Sequence, residues 1–239
     1  MRIAVVSDIH GNRTAFEAVL ADLRQAAPDL ILHGGDLADA GSSPAEIVDR
    51  IRDLGWPGVI GNTDEMLARP GSLTEFAKQA PQMQPLLPMI EEMAEVTRAA
   101  LGEERLKWLG HLARAQLHGP LALVHASPES PWRAPQPEAS DVELRAVYAS
   151  LGRPVVVYGH IHRPYIRKID TMTVVNSGSV SLSYDGDRRA AYLLLEEGIP
   201  EIRRVEYDVD SEVKALAACG FPHADWIARI LESASQQLP

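Results

Sequence analysis

Ile3-Ala4-Val5-Val6 is a short apolar run, rich in β-branched residues and without polar alternation, which predicts a strand buried on both faces. Asn12 is placed to cap a following helix, in which Phe16, Val19, Leu20 and Leu23 recur at i, i+3, i+4 and i+7. Leu30 to His33 is the next strand-like run, then Gly34-Gly35-Asp36, then a helix with Ile47, Ile51 and Leu54 on one face. Trp56 to Ile60 reads as a third strand, ending at Gly61-Asn62. Strand and helix alternate over these sixty residues, which predicts βαβ crossovers and a parallel sheet.

From about 65 to 112 the spacing is helical only, with Leu86, Ile90, Met93 and Ala94 on one stripe and Leu106 and Leu109 near another. A helical insertion within a single domain spanning 1–239 is the simplest organisation, because this stretch is too short to carry its own core. Met83, Met89 and Met93 read as core packing of that insertion, and its stripe could equally cover the sheet or a second copy in a homodimer. Ala115 to Leu117 and Leu121 to Val124 flank a turn at His118-Gly119-Pro120, and four prolines make 127–139 an irregular loop. Ser140-x-x-Glu143 opens a helix as a capping box. Beyond it, Val155 to Tyr158, Tyr165 to Ile169, Met172 to Val175, Ala191 to Leu195 and Ile202 to Tyr207 are short strands with hairpin-like spacing, and a helix spans about Ala224 to Ser235. The second half therefore looks more antiparallel than the first.

Composition narrows the partners. Lys and Arg number 23 against 33 Asp and Glu, a net charge of −10 that opposes loose binding of nucleic acid or anionic lipid. The single cysteine, Cys219, excludes an internal disulfide. The first apolar run is too short for a signal-peptide core, and no run approaches the ~20 residues of a membrane-spanning helix. A cytoplasmic protein without a membrane partner is expected.

The chemistry lies just past the strands. Asp8 and His10 follow the first, Asp36 the second, Asn62 the third, His125 the Leu121–Val124 run, and His160 and His162 the Val155–Tyr158 run. In an open α/β sheet, carboxyl ends of strands share one edge, so these seven residues are expected to converge. Two carboxylates, four imidazoles and an amide, with no thiolate, suit Mn, Fe, Zn or Co. Seven ligands exceed one such ion but fit two that share a bridging carboxylate. A pair of this kind clamps both entering and leaving oxygens of a displacement at phosphorus. His33, inside its strand, reads as a hydrogen-bonded structural residue, and His111, His118 and His223 as fillers of surface or core. Asn12 at its helix N-terminus and Trp132 and Arg133 beyond His125 are candidates for substrate contact, beside the plainer roles of cap and loop anchor.

Asp8-Ile9-His10-Gly11-Asn12, Gly35-Asp36, Gly61-Asn62-Thr63-Asp64, His125 and Gly159-His160-Ile161-His162 together resemble the motifs, in order, of the calcineurin-like metallophosphoesterases. Asn176 to Val180 is similar to a segment of their bacterial phosphodiesterase and diadenosine-tetraphosphatase-like branches, extending the resemblance to about residue 196. It implies an α/β fold, a four-layer αββα sandwich with a mixed β-sheet core. It also implies one metal on Asp8, His10, Asp36 and His162 and a second on Asp36, Asn62, His125 and His160, with Asp36 as the bridge. Manganese is the ion expected to support activity. The implied reaction is attack on a small phosphate ester by a metal-bridged hydroxide, with no covalent enzyme intermediate. The family's phosphatases usually carry His where this chain has Thr63, a substrate-facing position, and Thr63 cannot serve as a general acid. Phosphodiesters are therefore the expected substrates. A dinucleoside polyphosphate such as diadenosine tetraphosphate is the alternative. The family also includes a scaffold subunit of the retromer complex that has lost catalytic residues, but here every metal position is intact.

Overall fold

The computed structural model describes residues 1–239. Its strands are β1 (Arg2–Val6), β2 (Leu30–His33), β3 (Ala115–His118), β4 (Leu121–Val124), β5 (Val155–Tyr158), β6 (Tyr165–Ile169), β7 (Met172–Asn176), β8 (Ala190–Glu196) and β9 (Ile199–Val205). They form a four-stranded sheet in the order β2-β1-β8-β9 and a five-stranded sheet in the order β3-β4-β5-β7-β6. The helices are α1 (Arg13–Ala26), α2 (Pro44–Leu54), α3 (Asn62–Ala68), α4 (Ser72–Ala77), α5 (Leu87–Gly110), α6 (Asp141–Tyr148), α7 (Val209–Ala218) and α8 (Ala224–Ser233), with a 3₁₀ turn at Pro81–Leu86 before α5.

The layering follows from side-chain alternation along the strands. Ile3 and Val5 of β1 join Leu121, Leu123, Val155 and Val157 in a core between the two sheets. Ala4 and Val6, on the opposite face, meet the α1 stripe of Phe16, Val19, Leu20 and Leu23 together with Ile47 and Ile51 of α2. The outer face of the second sheet, through Ala122, Val124, Val156 and Tyr158, is covered by Leu144 and Tyr148 of α6. The result is helix, sheet, sheet, helix, the mixed α/β sandwich expected from the resemblance.

Three local readings change. The parallel and antiparallel pairs do not divide by halves of the chain: β1 is parallel to β2 but antiparallel to β8, while β5 is parallel to both β4 and β7. Six consecutive buried residues of β8, Ala190 to Leu195, need cover on both faces, and a place beside β1 supplies it. The predicted strand at Trp56–Ile60 reduces to isolated bridges, His33 to Gly58 and Val59 to Ala113. Pro57 has no N–H to donate, so only its carbonyl engages β2, accepting from His33. Finally, α7 is a helix the periodicity did not reveal, opened by Asp208, whose side chain accepts from Ser211 N.

The helical insertion forms as α3 to α5, beginning at Asn62. Ala94, Leu101 and Leu109 of α5 are buried in the core shared with α2 and α3, with Ile90 and Leu106 partly buried against it. No helix is long and apolar enough to cross a membrane.

Candidate metal centre

Three of the strands that end near the site, β1, β2 and β5, hand their chain to a tight, strained turn. Asp8, His10, Asp36, His160 and His162 all have positive φ, between 49° and 65°. Residues with a Cβ rarely occupy that region, and where they do the surroundings must hold them there. Backbone bonds between the turns provide this: Asp8 N donates to Gly35 O at 3.0 Å, His10 N to Asp36 O at 3.0 Å, and Gly159 N to His125 O at 2.9 Å. The two sheets also touch here. His160 N lies 3.2 Å from the Asp8 carboxylate, and a Cβ on Gly159 would collide with that carboxylate, so only glycine lets the edges approach so closely. Gly61 plays the same part beside Asp36.

Asp8, His10, Asp36 and His162 are buried, with ligand-type atoms all within 4.8 Å of one another. His162 Nε2 lies 3.2 Å from Asp8 Oδ1 and 3.3 Å from His10 Nε2, and His10 Nε2 lies 3.7 Å from Asp36 Oδ2. Asp36 Oδ2 is also 3.5 Å from His125 Nε2. Asn62, at the first turn of α3, sets one amide atom 3.0 Å from His125 Nε2, 2.8 Å from His160 Nδ1 and 3.2 Å from Asp36 Oδ2. All seven predicted ligands are therefore contiguous, with the Asp36 carboxylate between the two groups.

The imidazoles are set for a cation. Nδ1–H of His10 donates to Asp39 O at 3.0 Å, that of His125 to Gly34 O at 2.8 Å, and that of His162 to Leu182 O at 2.6 Å. A carbonyl can only accept, so each ring carries a proton on Nδ1, and in its neutral form turns a lone pair on Nε2 inward. His10 and His162 thus present two lone pairs to one another across 3.3 Å, an arrangement that a positive ion between them relieves. Around Asn62 a half-turn of the amide lets its NH2 serve His125, His160 and Asp36, so that group accepts either a cation or a donor. No rotatable amide does this for the His10–His162 pair. The donor set thus fits divalent metal by its own chemistry.

Burial shapes the charge. It pushes the His10 imidazole below its usual value and His160 down to about 4, so both stay neutral and able to ligate. For Asp8 burial acts upward, but the imidazoles of His162, His125 and His10, when protonated, together hold the carboxyl below the ordinary range. For His125 burial acts downward, and Asp36 followed by Asp8 reverses it.

The remaining predictions separate. Thr63 lies at the centre: its N–H donates to Asp36 Oδ1 at 2.9 Å, and its buried hydroxyl has no partner in the protein. Asn12 is 1% exposed, with Oδ1 capping α1 and Nδ2 donating to Ser181 Oγ at 3.1 Å, so both polar atoms of its side chain engage neighbours in the chain. Arg133 turns away, donating to Gln79 at 3.0 Å with its guanidinium 5.7 Å from the centre of the Phe76 ring. Trp132 stacks on Phe76 at 5.0 Å and donates to Glu65 Oε2 at 2.5 Å, joining the proline-rich loop to the insertion. His33 is buried against Trp108 with neither ring nitrogen bonded to the protein, so it is structural but not hydrogen-bonded as expected.

Sequence reasoning left two supporting residues unassigned. Asp64 is fully buried and accepts from Asp36 N at 2.8 Å, Leu37 N at 3.0 Å and Gly61 N at 3.0 Å, tying the Asp36 turn to the start of α3. Burial, then the neighbouring Asp36, raises its carboxyl to about 7. An acidic residue three positions after a helix cap was the available signal. Ser7, which donates to Asp8 Oδ2 at 2.6 Å, is a second such support.

A mixed two-sheet sandwich with buried Asp and His at its strand ends defines a class, and comparison with known proteins agrees. The chain belongs to the calcineurin-like phosphoesterase superfamily, whose domain matches residues 1–198. That family is metal-dependent, and the buried Asp/His cluster lies within the matched region. The chain is similar to an uncharacterized protein of Methanocaldococcus jannaschii, 30% identical over 253 aligned positions that cover 96% of each. It is also similar in structure to a metallophosphoesterase from Sphaerobacter thermophilus, with a TM-score of 0.79 at 24% identity over 98% of this chain and 100% of that one. A hypothetical protein from Pyrococcus horikoshii gives 0.82 at 18% identity over 99% of each. At these identities the two structures establish the fold.

Proposed function

We propose that the protein is a phosphodiesterase that holds two divalent cations, one on Asp8, His10, Asp36 and His162 and one on Asp36, Asn62, His125 and His160. The observation that carries this reading is the position of Asp36, whose Oδ2 lies 3.7 Å from His10 and 3.5 Å from His125 and so faces both groups. Bound divalent ions supply Lewis-acid activation of water and of the phosphoryl group. The chain's own residues do the positioning. Ser7 and the His160 N–H fix Asp8, the Thr63 N–H fixes Asp36, and three backbone carbonyls fix the imidazole tautomers.

Preference for diesters rests on Thr63. Its hydroxyl does not titrate near neutral pH, so the general-acid help that a histidine gives, typically about 10²- to 10⁴-fold, is absent at this position. Esters with good leaving groups suffer least from that absence. In a Mn²⁺-supplemented assay a bis-aryl phosphodiester is expected to turn over faster than the matching aryl monoester. The reverse ranking overturns the diester preference, and faster turnover of diadenosine tetraphosphate than of either replaces it with a dinucleoside polyphosphatase.

A further inference from the structure

Beside the candidate metal centre lies a cavity of about 160 Å³ whose walls are mostly apolar: twelve of its sixteen lining residues are hydrophobic. Its four polar lining residues are His10, Asp39, Asn62 and Thr63, so it adjoins residues assigned to the reaction. Its apolar walls come from the helical insertion, from α8 and from the loops that carry Ala40, Trp132, Leu182 and Tyr184. Met66, Met83 and Met93 belong to the helical insertion, and Trp226 and Ile230 to α8. The match to the family domain covers residues 1–198, so α8 lies beyond the matched region.

The size and chemistry select an occupant. A water molecule needs two to four polar partners, which the twelve apolar wall residues do not offer, whereas an apolar cavity of roughly 150 Å³ admits a benzene molecule. Met83 and Met93, unbranched and polarizable, can adjust around a ring and make favourable sulfur–aromatic contacts. The methionines that read from sequence as plain core packing thus line a space that the core leaves open.

The geometry points to a binding site for one ester substituent of the substrate: an apolar group the size of a phenyl ring, inserted between the insertion and α8 while the phosphate meets His10, Asn62 and Thr63. The preferred substrates are then aryl or compact branched-alkyl phosphoesters. This rests on the phosphoesterase reading above, and the two can fail separately.

The test uses the full-length, zinc-loaded protein labelled with [methyl-13C]methionine, with phenylphosphonate and methylphosphonate as probes. Phenylphosphonate is expected to shift the methyl signals of Met83 and Met93, and methylphosphonate to leave them unmoved. Ile230→Phe, or Met83→Trp on the half-buried 3₁₀ turn, fills the cavity and should abolish the shift of the remaining reporter. In parallel, the KM for phenyl p-nitrophenyl phosphate should lie about 10- to 100-fold below that for the methyl ester, the effect of burying one ring. Unmoved Met83 and Met93 signals at saturating phenylphosphonate, or equal shifts from both probes, overturn the assignment. If the shifts appear but neither ester is hydrolysed, the cavity stands and the phosphoesterase reading falls. If both esters are hydrolysed with equal KM and the methyl signals stay fixed, the reverse holds.

Discussion

Seven polar residues at the sheet edges sit on backbone with little freedom, whereas the cavity beside them is walled by side chains with a great deal of it. Five of the seven have positive φ, and cross-turn hydrogen bonds pin them. Three of the cavity residues are methionines on helical segments, with several rotatable bonds each. The contrast teaches where each kind of requirement falls. Ligand atoms must meet within a few tenths of an ångström, so the backbone is strained to place them. An apolar substituent needs only volume, so adaptable packing suffices.

The comparison breaks hardest at Asp36. Asp36→Asn removes the charge shared between both groups and should cost more than about 10³-fold in kcat, measured with the bis-aryl diester in saturating Mn²⁺. Asp64→Ala tests whether the rigid side is held by its hydrogen bonds. It strands three buried N–H groups, and urea denaturation should record a loss of about 3 kcal/mol or more. A loss under about 1 kcal/mol would mean that the Asp36 turn holds itself. Thr63→His asks whether chemistry can be added to the rigid side. The ratio of aryl monoester to diester turnover should rise at least about tenfold, and an unchanged ratio removes Thr63 from the account of specificity.

A smaller effect concerns His33, which is buried with its imidazole held down to about 3 against an unfolded value of 6.5. A depressed folded value means that its contribution is complete above pH 6.5 and is lost as pH falls toward 3, because the unfolded chain takes up the proton first. His33→Leu should therefore flatten the acid side of a Tm against pH profile. Smallest of all, Arg133→Ala should change kcat/KM by less than about twofold, since Arg133 engages Gln79 and Phe76 and not the centre.

The rigid side was legible in the sequence and the adaptable side was not, for physical reasons. β1, β4 and β5 are short apolar runs that stop at a chemically distinctive residue, so Asp8, His125 and His160 could be placed at strand ends from local pattern alone. Pairing of β1 with β8 could not, because it joins residues about 190 positions apart and depends on how the second sheet is covered. The cavity was hidden for a similar reason: Met66, Met93 and Ile230 each obey their own helix's period, and nothing local says they face one space. For Asn12 and Arg133 a residue type shows what it can bind but not which neighbour it already engages, Ala15 and Ser181 for the one and Gln79 and Phe76 for the other. Asp64 was underread, a carboxylate adjacent to candidate ligands whose work is structural.

Metal content bears most directly on the centre itself. After reconstitution with Mn²⁺ and removal of excess ion, elemental analysis should find two divalent ions per wild-type chain and fewer than one in Asp36→Asn, with both proteins folded by circular dichroism. No retained metal in the wild type, or two ions per chain in the folded variant, would contradict the assignment of Asp36 as the shared ligand of a two-metal site.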